Sequence, residues 1–274
     1  MRIIDTHLHL VEKDRFSYPW LTGAPALDRT FSAVDYFAEA EQYGIEAALH
    51  MEVDVAEADM AAETRFMLSA HRKIAGAIAA CRPEDLDFPA YLEEMAAVSG
   101  VKGFRRVLHV VPDEISQAPL FAENLNRLAP LGLTFDLCVS ARQLPLAIAL
   151  ARKCPGVQFI LDHCGVPDIE GGELDPWRSH MSELAGIDNV AAKISGVIAY
   201  GGANWSVDGL RPYVSHVIER FGFDRIVWGS DFPVCTLTAS LKDWVAATKT
   251  LIAGASAEEQ ERLFSLNAMR IYKI

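Results

Sequence analysis

The stretch RIIDTHLH at residues 2–9 reads as a β-strand that ends in chemistry. Two isoleucines open it. Side chains alternate along an extended chain, so Asp5, His7 and His9 are expected on one face, where two imidazoles at i and i+2 can reach one cation. The same grammar, a short Val- and Ile-rich run followed by helical spacing, recurs outward from it. The runs are IEAALHMEV (45–53), KIAGAIAAC (73–81), VKGFRRVLH (101–109), LTFDLCV (133–139), VQFILDH (157–163), NVAAKISG (189–196) and RIVWGSD (225–231). Helical spacing fills 32–42, 57–71, part of 83–98, 119–129, 141–153, 175–184, 209–221 and 239–252. Ser256 and Glu259 form a capping box that opens one more helix. Strands this continuously apolar suit a parallel sheet buried on both faces. Eight β–α units in 274 residues predict an α/β protein, a (β/α)8 TIM barrel with an extra C-terminal helix, forming one domain over 1–274. The competing open, doubly wound sheet would carry a Gly-rich phosphate turn after the first strand, and none is present.

Bulk composition narrows the function classes. With 37 acidic against 25 basic residues the formal net charge is −12, which argues against nucleic acid or an anionic membrane as the main partner. A small-molecule substrate is expected instead, with the oligomeric state left open. The five cysteines form no C-x-x-C pair and read as reduced, buried small hydrophobes, which predicts a cytoplasmic protein. The N-terminus shows no leader pattern and no segment approaches a membrane span.

In a TIM barrel the C-terminal ends of all strands meet on one face. Three sequence motifs then converge there: His7 and His9 on the first strand, Asp162-His163-Cys164-Gly165 after the sixth, and Gly229-Ser230-Asp231-Phe232-Pro233 closing the eighth. A carboxylate at the end of a buried strand is costly unless something pairs with it or uses it.

The pattern D-x-H-x-H early, H-x-G in the middle, G-S-D-x-P late and N-A-x-R-I-Y at 267–272 resembles the "amidohydrolase 2" branch of the amidohydrolase superfamily across nearly the whole chain. Tyr18-Pro19-Trp20, the 101–105 run VKGFR, Phe135-Asp136-Leu137 and Lys193-Ile194-Ser195-Gly196 are similar to the sugar-acid lactonases of that branch, the L-fuconolactonase, L-rhamnonolactonase and 2-pyrone-4,6-dicarboxylate lactonase group. The resemblance implies a hydrolase that opens an internal ester. It also implies a metal site of His7, His9, Asp231 and His163, with Glu52 as a further candidate and Zn²⁺ the preferred ion; metal-free members of the group leave the need for an ion open. Metal-dependent members place a His at the end of the fifth strand, whereas this chain reads Thr134-Phe135-Asp136-Leu137-Cys138. That departure disfavours metal-dependent decarboxylation of an aromatic acid on the same fold, whereas amide or cyclic-imide hydrolysis, which shares the tetrahedral intermediate, stays open. Arg105 and Arg106 on the fourth strand cannot ligate a cation, which argues against a two-metal site.

Asp231 is the expected general base, and Arg105 and His163 the expected donors to the carbonyl oxygen. Trp20, Arg106, His109, Lys193 and Ser195 are candidate substrate contacts. Asp136 is read as a ligand, as a group that orients Arg105 or, most plainly, as its ion-pair partner on the neighbouring strand. His50, His71, His180 and His216 receive no role.

Overall fold

The computed structural model describes residues 1–274. Eight parallel strands run in sequence order: β1 (Ile3–Leu8), β2 (Ile45–Met51), β3 (Ile74–Ala80), β4 (Val101–Val107), β5 (Thr134–Cys138), β6 (Gln158–Leu161), β7 (Val190–Ile194) and β8 (Ile226–Trp228). The outer layer comprises α1 (Ala33–Ala40), α2 (Met60–Ala70), α3 (Phe88–Ala96), α4 (Asp113–Gln117), α5 (Pro119–Asn126), α6 (Leu144–Lys153), α7 (Trp177–Ala185), α8 (Val197–Tyr200), α9 (Val207–Phe221) and α10 (Leu241–Leu251). The chain ends with α11 (Ala257–Glu261) and α12 (Asn267–Tyr272), joined by one wide helical turn. The architecture is the (β/α)8 barrel that the strand count predicts. The short helices α4 and α8 are additions that the sequence pattern did not reveal. No helix is long and apolar enough to cross a membrane.

Serine caps start several of the helices. Ser32 and Ser206 accept from the amides of Asp35 and Gly209, and the expected box at Ser256 and Glu259 is formed, with Ser256 N donating to Glu259 Oε2 at 2.7 Å. All five cysteines are buried and unpaired.

The ring closes between β1 and the end of β8 without a full ladder. Thr6 Oγ1 donates to Trp228 O (2.8 Å), Asp231 N to His7 O (2.9 Å) and His9 N to Phe232 O (2.8 Å). Between Asp5 and Leu8 the pairing with β2 slips, so that three steps on β1 oppose two on β2, from Ala48 to His50. Such a bulge reverses the alternation. Ile4 and His7, three apart, both face the barrel axis, and Asp5 does not share their face as the simple strand reading expects. Asp5 is buried beneath α1, where it accepts from Tyr36 Oη (2.5 Å), Ser230 N (2.7 Å) and Ser230 Oγ. The serine of the Gly-Ser-Asp motif thus ties the first strand to the eighth.

Inside the ring lies an apolar layer of Ile4, Leu49, Ile78, Ile160, Ala191 and Val227, continuous with Ile271 and Tyr272 of α12. The C-terminal helix therefore plugs the N-terminal end of the barrel. Lys102 Nζ, at the start of β4, donates to Lys273 O at 2.9 Å and holds the plug in place. A separate, larger apolar shell fills the space between strands and helices, with Phe104, Phe135, Phe159, Trp228 and Trp244 among its largest members.

Candidate active site

One step beyond the apolar layer, the interior becomes polar. Along β6 the inward position passes from Ile160 to Asp162, and along β7 from Ala191 to Lys193. His9, Arg105, His163 and Asp231 form the floor of a cavity of about 250 Å³ at the C-terminal mouth, and His7, Asp162 and Lys193 lie buried directly beneath them. That size suits a small molecule.

The metal-ligand candidates converge. Nε2 of His7 and Nε2 of His9 lie 3.1 Å apart, and Asp231 Oδ1 lies 3.7 and 3.6 Å from them. A tetrahedral ion with ligands at 2.0–2.1 Å separates its donors by about 3.3–3.4 Å, so this triangle fits one. Protonation permits it as well. His9 Nδ1 sits 3.1 Å from Met51 O, and a carbonyl only accepts, so the proton is on Nδ1 and the lone pair on Nε2. His7 Nδ1 faces both Asp162 Oδ1 (3.3 Å) and Lys193 Nζ (3.2 Å). With its proton on Nδ1, His7 bonds Asp162 and turns a lone pair toward the ion position, the usual carboxylate–histidine–metal arrangement. With its proton on Nε2, it accepts from Lys193 and donates to His9. The set is satisfied in either form, so it accommodates an ion and also holds together as a hydrogen-bonded chain. When bound, such an ion would polarise a carbonyl and acidify a water. His163 lies farther out, with Nδ1 3.9 Å from Asp231 Oδ2 and 2.9 Å from Ser195 Oγ.

The loops after β6 and β8 hold their functional side chains on strained backbone. His163, Cys164, Gly165 and Val166 all have φ between +49° and +71°, and Asp231 has φ +57°. The left-handed region costs a non-glycine residue roughly 1–2 kcal/mol, and it persists here because the surrounding packing over-determines it. Gly196 (φ +67°) makes the approach possible. A Cβ there would lie 2.5 Å from His163 Nδ1 and 3.1 Å from Asp231 Oδ2.

Burial sets the protonation of the floor. It pushes the Asp231 carboxyl up to about 6, with His163 and Arg105 opposing the rise. Oδ2 of Asp231 is buried without a hydrogen-bond partner. Burial, reinforced by Arg105, pulls His9 down to about 3, and burial also lowers His7 and His163, so all three imidazoles are neutral at pH 7. Burial alone would raise Asp162, but Lys193 and His7 hold its carboxyl well below the usual range.

The structure reassigns several expected contacts. Lys193 is fully buried under the floor, 2.6 Å from Asp136 Oδ1 and 2.9 Å from Asp162 Oδ1, and does not reach the open cavity. Asp136 pairs with that lysine rather than with Arg105. Arg105 instead turns to β2's end, where its Nε donates to Glu52 Oε1 (2.6 Å) and its NH2 to Glu52 O (2.8 Å). Glu52 is thereby spent on Arg105 and, through Oε2, on Asp54 N (2.7 Å), and is not a ligand. Arg106 points to the opposite face, as alternation dictates, and pairs with Glu84 at 2.8 Å outside the cavity. Ser195 stays behind His163 as its hydrogen-bond partner. Trp20 and His109 do line the cavity. Trp20 also anchors its loop by donating from Nε1 to Val53 O at 2.7 Å. His50 joins Glu63 at 2.5 Å on the outer face of β2. Besides aliphatic wall residues, Tyr200 at the end of α8 and Asp54 after β2 line the cavity and escaped the sequence reading. Tyr200 ends a single helical turn and Asp54 sits on a loop, and neither place has a periodicity that marks direction.

Comparison with known proteins identifies the family. The family model described as "Amidohydrolase" matches residues 4–274. Uncharacterized protein y4mH of Sinorhizobium fredii is 31% identical, the match covering 99% of this chain and 98% of that protein. L-fucono-1,5-lactonase of Burkholderia multivorans is 30% identical over 99% of this chain and 96% of its own length. A crystal structure of an amidohydrolase from Burkholderia multivorans with bound Zn superposes with a TM-score of 0.91 at 23% identity, covering 100% of both chains.

Proposed function

This chain belongs to the amidohydrolase family and is a hydrolase, and on that premise we propose that it opens a lactone of a sugar acid by attack of water. The observation that carries the reading is the unpartnered Oδ2 of Asp231, buried at the cavity floor beside His7, His9 and His163. The family match and the similarity to a fuconolactonase support it.

Asp231 is the general base. As the water oxygen bonds to the carbonyl carbon, Asp231 takes its proton. That proton passes to the ring oxygen when the C–O bond breaks, leaving a hydroxy acid. Arg105 NH1, the nitrogen not committed to Glu52, and His163 hold the carbonyl oxygen as it gains charge. Donors of this kind contribute about 3 kcal/mol each to the barrier. Ser195 fixes the ring of His163, and Asp162 with Lys193 fixes that of His7. Trp20 offers an apolar face to the sugar ring, and His109 a polar contact near the mouth. His7, His9 and Asp231, with His163 adjacent, would hold a single divalent ion, Zn²⁺ being our preferred choice.

The test is a pH-indicator assay of the purified protein against fucono-, rhamnono-, galactono-, xylono- and dicarboxylate lactones, each with and without chelator and with the spontaneous rate subtracted. At least one lactone is expected to be hydrolysed, and Asp231→Asn is expected to lower kcat by roughly 10²–10⁴-fold. Hydrolysis of none of them, or full turnover by Asp231→Asn, overturns the reading.

A further inference from the structure

The cavity wall carries a carboxylate that the reaction does not use. Asp54 follows β2 with φ +46° and lines the cavity beside Val53. Its carboxylate makes no hydrogen bond; the nearest cation is Arg82, with NH2 at 3.8 Å. Its side chain remains 30% exposed, enough for a ligand to reach it. The backbone is fixed from behind, since Asp54 N donates to Glu52 Oε2 at 2.7 Å.

The rest of the wall offers no unpaired positive charge. Arg105 is the one cationic side chain in the lining, and it is neutralised by Glu52 at 2.6 Å, with Asp162 Oδ2 3.6 Å from its remaining nitrogen. The cations expected from sequence at this mouth are elsewhere: Arg106 pairs with Glu84 outside the cavity, and Lys193 lies beneath the floor between two aspartates. The remaining wall is largely aliphatic, with Val11, Leu27, Val107, Val110 and Val234 facing the space.

From this charge pattern we infer that the substrate is an uncharged lactone that bears hydroxyl groups as well as an apolar edge, and that Asp54 selects it by accepting from those hydroxyls and repelling anions. The inference rests on the lactonase reading and narrows its substrate class. A carboxylate without a donor is a strong acceptor for sugar hydroxyls. A second carboxylate on the ligand would meet Asp54, hydrocarbon or the uncharged His109 and Tyr200, with no unpaired guanidinium or ammonium to compensate. Dicarboxylate lactones, which the resemblance to the 2-pyrone-4,6-dicarboxylate group leaves open, are therefore poor substrates for this chain.

The experiment compares three lactones: a neutral polyhydroxylated six-membered lactone, unsubstituted tetrahydropyran-2-one, and 2-pyrone-4,6-dicarboxylate. The wild-type protein is expected to favour the neutral hydroxylated lactone over the dicarboxylate by about 100-fold or more in kcat/KM. Asp54→Asn tolerates the left-handed backbone. It is expected to lower the preference for the hydroxylated over the unsubstituted lactone about tenfold, through KM, while lowering KM for the dicarboxylate. Equal losses on the hydroxylated and unsubstituted lactones, or wild-type turnover of the dicarboxylate at the neutral rate, overturn the inference. Binding of a sugar-acid lactam, a non-hydrolysable isostere, measured by calorimetry, separates this from the parent reading. If no lactone is turned over, the hydrolytic reading fails, and the role of Asp54 still stands or falls on whether Asp54→Asn weakens lactam binding.

Discussion

The two ends of this barrel are built from the same eight strands and follow opposite rules. At the N-terminal end, Ile4, Leu49, Ile78, Ile160 and Val227 meet Ile271 and Tyr272 of the terminal helix, and water is shut out by hydrocarbon. One inward position further along each strand, Asp162 and Lys193 are equally dry, and every charge there is held by another charge. Asp136 is the exception that shows how the layers join. It stands level with Ile160, in the apolar layer, and is matched from above by Lys193 and from below by Tyr272 Oη at 3.3 Å. The plug therefore needs only volume, whereas the mouth needs each partner in place. Conservation of shape is enough for one end and conservation of charge is demanded by the other.

The largest expected break in that contrast is Lys193→Met. It removes the one ammonium between Asp136 and Asp162 and leaves two buried carboxylates facing each other. Breaking a buried pair in this way costs about 3–5 kcal/mol, measurable by urea unfolding at neutral pH. A loss under 1 kcal/mol would show that the floor is not held by this lysine. Ile271→Ala at the other end should cost about 2–4 kcal/mol for the deleted methyl groups and the cavity with kcat on a lactone retained. A large fall in kcat would mean that the plug shapes the mouth.

The sequence exposed the barrel because each strand is a compact apolar run between helical stretches, a pattern set by burial on both faces. His7, His9, His163 and Asp231 were legible for a related reason: polar residues that end apolar strands have one place to go in a closed ring. The partners were not legible. Arg105 stands directly opposite Asp136 in the β4–β5 register, yet it pairs with Glu52, because Lys193 has taken Asp136. That choice depends on how far side chains reach across the interior, which linear spacing does not encode. The bulge in β1 turned Asp5 away from the histidines for the same reason: one extra residue reverses a face, and nothing in RIIDTHLH marks it. Tyr200 ends the four-residue helix α8 and Asp54 lies on a loop, stretches too short or irregular for either period to show.

Gly229→Ala probes the seam between β1 and β8. A Cβ there would sit 2.6 Å from His7 Cβ and 3.2 Å from His7 N. Overpacking of a rigid seam costs typically 1–3 kcal/mol, and the strain falls on His7, one of the three residues proposed above to hold an ion. Lower zinc affinity in a competition titration, alongside a modest fall in thermal stability, is the expected outcome. Wild-type affinity would show that the seam yields without moving His7.

Tyr272→Phe should have the smallest effect. The phenol is fully buried, but its bond to Asp136 is long at 3.3 Å, and Lys193 holds the same oxygen at 2.6 Å. The phenyl ring keeps the volume of the plug, so only one weak hydrogen bond is lost, worth about 0.5–1.5 kcal/mol. Chemical denaturation should register that loss, and lactone kinetics should not change. A fall in kcat beyond threefold would mean that the Tyr272–Asp136–Lys193–His7 chain carries influence from the plug to the reacting groups, and that the two ends of the barrel are one system.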